Sequence, residues 1–117
     1  MQIVYLQPAQ RDLARFQDFL QGCGVSKTRS DEIILSLVRH IRILAKYPLR
    51  GYSIGGRYGF DTTYRALIAG RYIAVYEVVG EQIQIRRIYH MREDYLNELL
   101  PEDHPESVDN SDVEEAP

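Results

Sequence analysis

Apolar residues recur along this chain with two different periods, and the change of period divides it. Residues 2–6 alternate weakly, as a short strand does. Pro8, suited to the first turn of a helix, then precedes Leu13, Phe16 and Leu20, with Arg11, Asp12, Arg15 and Asp18 between them. That spacing predicts an amphipathic helix ending at Gly22-Cys23-Gly24. A second helix follows, capped by Ser26, Thr28 or Ser30, with Asp31 and Glu32 near its positive end. Its stripe is Ile33, Leu37, Ile41 and Leu44, and it stops at Tyr47-Pro48, because proline pushes the preceding residue out of the α region. Residues 49–60 show no period and hold four glycines, which favours a mobile loop.

From residue 62 the pattern is that of β-structure. Ile, Val, Tyr and Thr dominate residues 62–69, 71–79 and 82–89, residue types that suit a pleated, half-buried surface. Gly70 and Gly80 separate the three segments where tight hairpins need positive φ. A short helix over residues 94–100 is expected to pack Leu96, Leu99 and Leu100 on the body. The order β-α-α-β-β-β predicts an α+β fold: two antiparallel helices on one face of a small, mainly antiparallel sheet, with the other face partly open.

Charge changes this picture at the C-terminus. The net charge of −3 hides a split. Residues 101–117 carry seven of the 17 acids and no Lys or Arg, leaving residues 1–100 with ten acids against 14 bases, a body of +4 beside a tail of −7. With two valines and no aromatic, the tail cannot bury enough apolar surface to offset its ordering entropy, so disorder is expected there. The organisation is therefore one domain over residues 1–100 plus an acidic tail. The tail reads as a solubilising extension, or as a weak shield over the basic body. No apolar run approaches a membrane span, no secretory leader is visible, and one cysteine, Cys23, suits a reducing cytoplasm. No metal-ligand spacing or phosphate-binding glycine loop occurs, so no metal or cofactor is expected.

The chemistry resides in the β-region. Arg65, Arg71, Arg86, Arg87 and Arg92 fall in or beside it. Guanidinium groups bind phosphates or carboxylates in pairs of hydrogen bonds, and singly they are ordinary solvated side chains. Strict alternation puts Arg86 with Gln84 and His90 on one face, and Arg87 with Ile83, Ile85 and Tyr89 on the other. His90, at a strand end, is placed either for acid–base work or for capping the strand. Tyr89 and Tyr95 could stack on a base or a partner, whereas Tyr72 and Tyr76 suit a core. The candidate binding set is thus Arg65, Arg71, Arg86, Arg92, Tyr89 and Tyr95.

Several segments resemble the RelE/ParE superfamily of toxins from type II toxin–antitoxin modules. They are IVYLQPAQRDL, the YPLRG break, YRALIAGRYIAVYEV, and IQIRRIYHMREDYLNELL with its H-x-R-x-D element from His90 to Asp94. The resemblance covers residues 1–100 and implies the same fold and a cognate antitoxin partner, with a toxin–antitoxin hetero-oligomer. It implies one of two targets. RelE-like members are ribosome-dependent mRNA endonucleases, and here His90, Arg92 and Arg65 would be the catalytic set. ParE-like members inhibit DNA gyrase without such a set. In the RelE-like pattern an arginine stands where this chain has Ile73, and the H-x-R-x-D element is commoner in ParE-like members, so the resemblance favours gyrase over ribosome and mRNA. A third reading is an inactive binding module on the same scaffold.

Overall fold

The computed structural model describes residues 1–91 and residue 93. The chain runs β1 (Gln2–Tyr5), α1 (Gln7–Gly22), α2 (Lys27–Ile41), a 3-10 turn (Arg42–Ala45), β2 (Tyr52–Ser53), α3 (Ile54–Tyr58), β3 (Arg65–Ala69), β4 (Tyr72–Val79) and β5 (Gln82–His90). The sheet order is β1-β5-β4-β3-β2. Strands β3, β4 and β5 form the anticipated antiparallel meander, and β1 adds parallel to β5.

Local signals explain most element ends. Pro8 sits in the first turn of α1. At its other end Gly24 takes φ of 92°, Val25 N donates to Leu20 O and Gly24 N donates to Gln21 O. This paired pattern satisfies the last carbonyls of a helix and requires a residue that tolerates positive φ. Ser26 alone caps α2, accepting from Arg29 N at 3.1 Å. Ser30 is instead buried, and Asp31 and Glu32 lie a turn inside the helix, paired with Lys27 and Arg29. Gly70 and Gly80 have φ of 62° and 59°. No non-glycine residue has positive φ among the described residues, so each hairpin has glycine at the first of its two turn positions.

The helices cover one face of the sheet. Ala9, Phe16, Leu37, Ile41 and Leu44 pack on Leu67, Ala69, Ala74, Tyr76, Ile83, Ile85 and Ile88. The second face is less open than the sequence suggests. Residues 49–60 do not form a loose loop, since β2 and α3 lie within them and bring Ile54, with Tyr52 and Phe60, onto Ala66, Ile73, Val75 and Tyr89. The glycines there serve close approach. A Cβ on Gly51 would stand 2.6 Å from Ala66 O, and one on Gly55 would stand 2.7 Å from Phe60 O. The expected helix over residues 94–100 and the acidic tail lie outside the described residues.

Candidate functional site

Strand β5 carries most of the candidate side chains, and a bulge decides where they point. Val75 pairs with Arg87 and Tyr76 with Ile85, which leaves Arg86 as the extra residue. A bulge interrupts alternation and reverses the facing of everything beyond it. Arg86 and Arg87 therefore share the face away from the helices, contrary to strict alternation. His90, paired with Tyr72, moves to the helix-side face and stands apart from Arg86. Tyr89 keeps company with Arg87 but not with Ile83 and Ile85.

On the outer face Arg86 pairs with Glu77 at 3.3 Å and lies over the Tyr64 ring, 5.1 Å from its centroid. Glu77 also accepts a hydrogen bond from the Thr63 hydroxyl. Together with residues 60–62 these side chains bound a shallow cleft of about 580 Å³. Beside it, Arg87 lies over Tyr89 at 4.9 Å. Arg87 also reaches round the sheet edge to Asp12, donating from Nε at 2.8 Å and from Nη2 at 3.1 Å.

Asp12 is the side chain beside this face that the sequence pattern hides. It is buried in α1 in phase with Ala9 and Phe16, whereas a polar residue between apolar ones reads as solvated. Its Oδ2 also accepts from Ile88 N at 2.8 Å. Strand β1 ends opposite Ile85, so the carboxylate takes over where the neighbouring strand stops. The available signal is its spacing of three from Ala9 and four from Phe16.

The other candidates fall elsewhere. Arg65 turns to the helix-side face and donates to Gly51 O at 2.6 and 3.1 Å and to Leu49 O at 3.2 Å, fastening the start of β2. Arg71 is exposed in the β3–β4 hairpin. His90 stacks edge-on against Tyr72, with centroids 5.5 Å apart. Burial pushes the Tyr72 phenol up from its ordinary value, and nearby Arg71 opposes this. Arg71, Tyr72 and His90 border a second, largely apolar cleft of about 630 Å³ beside α1. Arg92 and Tyr95 lie outside the described residues. Arg65, Arg71 and Arg86 therefore occupy three separate places. Among the described residues, no cluster of His, Cys, Asp or Glu suits a metal ion.

This geometry, a helical pair on a meander closed by a parallel N-terminal strand, corresponds to known proteins. Residues 3–95 match the family model described as ParE toxin of type II toxin-antitoxin system, parDE. The chain belongs to the ParE toxin family. It is thus a RelE/ParE-superfamily toxin of the ParE-like kind, the toxin component of a type II system. Among solved structures it is similar to a chain of the chromosomal ParDE TA system from P. aeruginosa. That likeness has a TM-score of 0.66 and 20% identity over 77% of this chain and 95% of the other, and it supports the fold. None of the curated proteins compared with the chain matches it.

Proposed function

We propose that this ParE-family toxin acts in the cytoplasm by binding DNA gyrase, that a cognate antitoxin neutralises it in a hetero-oligomer, and that it does not cut mRNA. One observation carries the choice of target. A ribonuclease of this superfamily needs basic and acid–base groups converging on one phosphate. Here Arg65 is committed to Gly51 and Leu49 carbonyls on the helix side, while Arg86 is paired with Glu77 on the opposite face. His90 lies at the far end of the meander against Tyr72, and position 73 is a buried isoleucine. Arg86 and Arg87, both partly exposed, instead share one face, Arg86 over the half-buried Tyr64 ring and Arg87 over Tyr89, whose side chain is itself buried and not available for contact. Such a face suits a protein partner, because arginine and tyrosine supply contact area together with directional hydrogen bonds. The body's charge of +4 complements an acidic antitoxin segment that folds on binding.

Inducing the chain in bacteria and following mRNA integrity and the DNA-damage response separates the targets. Gyrase inhibition gives the damage response with intact transcripts, and the purified protein then blocks supercoiling. Codon-positioned transcript cuts that vanish in Arg65→Ala or His90→Ala would replace this reading with the ribonuclease. Unaffected growth would leave only a binding module.

A further inference from the structure

Charge is segregated within the described body as well as between body and tail. No Asp or Glu occurs between Glu32 and Asp61, a stretch that holds Arg39, Arg42, Lys46, Arg50 and Arg57. All five residues are exposed, and none forms an ion pair among the described residues, whereas Arg15, Lys27, Arg29, Arg86 and Arg87 each do. Tyrosines are interleaved with them. Tyr47 is 48% exposed and carries Lys46 over its ring at 5.5 Å. Arg57 lies over Tyr52 at 3.8 Å, and the Tyr52 ring meets the exposed Tyr58 edge-on at 6.5 Å.

The fold draws this stretch across one end of the sheet. The Met1 ammonium donates to Ala45 O at 3.0 Å beside β1, and Tyr52 pairs with Ala66 near the start of β3. Strands β1 and β3 run the same way, so both contacts lie at the same end. From β1 to β2 there are four inter-strand spacings, about 19 Å, the length of roughly five stacked nucleotides. Arg65 fastens the Leu49 and Gly51 carbonyls midway, so the path is set before a partner arrives, which lowers the ordering cost of binding.

We infer that this strip binds a single strand of nucleic acid, without cutting it. Arg42, Lys46, Arg50 and Arg57 take the phosphates, and the rings of Tyr47 and Tyr58 take the bases. A guanidinium group meets a phosphate through paired hydrogen bonds. A basic track with aromatic rings set into it holds single strands of any sequence, because every base has a flat face to stack. An acidic protein segment would match the charges but offer the exposed rings no such face. The strip is separate from the Arg86–Arg87 face and from His90, so it adds a second contact surface to the function proposed above.

Fluorescence anisotropy of a labelled oligothymidylate, titrated with the full chain over a range of salt, tests this. The expected Kd is on the order of 1–100 μM near physiological salt, and four phosphate contacts on a single strand give a log–log salt slope of about −3. Arg50→Gln and Arg57→Gln should each bring that slope about 0.7 nearer zero. Tyr58→Leu should weaken binding about fivefold or more and leave the slope unchanged, which a purely ionic surface would not do. Arg11→Gln removes the same charge from the exposed side of α1 and should leave the slope as it is. Far-ultraviolet circular dichroism of each variant should match the native chain. Oligouridylate run in parallel distinguishes RNA from DNA as the source, and tight binding of either supports the inference. Absent binding, or equal effects from Arg11→Gln and Arg50→Gln, overturns it. So does oligoglutamate binding as tightly, which assigns the strip to an acidic protein, or a duplex binding more tightly than the single strand. None of these readouts uses gyrase or growth, so their failure leaves the target assignment untouched.

Discussion

The Tyr76 hydroxyl accepts from Gly51 N at 3.0 Å and donates to Pro48 O at 2.8 Å, from a side chain with no solvent exposure. Arg65 holds the carbonyl of the same glycine. The segment that closes the second face is therefore anchored at one residue from both sides. Tyr76→Phe leaves a buried amide and a carbonyl without this partner, and unpaired buried groups of this kind cost about 1–3 kcal/mol each. A loss of about 2 kcal/mol in denaturant unfolding is expected. Arg65→Ala should also lower the midpoint, a readout that a purely catalytic arginine would not move.

Gly51 and Gly22 should respond in opposite ways to alanine. A Cβ at Gly51 meets Ala66 O at 2.6 Å and the Tyr76 ring at 2.8 Å, and neither can withdraw without moving the sheet. The cost is about 2–3 kcal/mol, as for an overpacked core. Gly22, in the last turn of α1, meets nothing within 4 Å. Its alanine variant should gain up to about 0.5–1 kcal/mol from helix propensity and a stiffer unfolded chain. Paired chemical denaturation of the two variants checks both signs.

Ser30 is fully buried in α2, and its hydroxyl has no hydrogen-bond partner among the described residues. Alanine there removes the desolvated hydroxyl and improves helix propensity, so Ser30→Ala should raise stability by about 1 kcal/mol. Thermal unfolding of the variant decides the matter, and an unchanged or lower midpoint would mean that the hydroxyl is satisfied.

Asp12→Ala removes three hydrogen bonds at once, two from Arg87 and one from Ile88 N. Deleting one partner of a buried charge pair costs about 3–5 kcal/mol, and the partial exposure of Arg87 puts this case near about 3 kcal/mol. Amide exchange at Ile88 should accelerate more than exchange at Ile85, whose strand partner Tyr5 remains.

Burial pushes the Tyr5 phenol up to about 12, with nearby Arg42 partly opposing the rise. The folded state therefore holds its proton where the unfolded chain, with an ordinary value of about 10, has lost it. This contribution to stability is intact below about pH 10 and disappears as pH rises through the folded value. Melting curves across that alkaline range should fall more steeply for the native chain than for Tyr5→Phe.

Much of this fold was legible because its signals are local. The two hairpin glycines, Pro8, the Gly24 stop and the apolar stripes each act within a few residues, and the structure follows them. Two features depended on contacts distant in sequence. In residues 49–60 the four glycines favour mobility over an ordered loop, yet Gly51 and Gly55 are glycines because backbone passes within reach of their Cα atoms. Such crowding involves Ala66 and Tyr76, which no local window contains. The candidate site suffered likewise. Period-two alternation assigned faces to Arg86, Arg87 and His90, but the bulge is set by how β5 pairs with β4. The single arginine patch expected from the sequence is therefore distributed over three places, and the family assignment rests on residues 3–95 as a whole.

The extra residue at Arg86 also bears on how relatives are to be compared. A related strand without it would carry its terminal histidine toward the arginines, whereas here that side chain joins α1 and the β3–β4 turn. Matching the His90 element letter by letter thus equates positions that can lie on opposite sides of a sheet. Roles transferred along this strand hold only between proteins that share the same insertion.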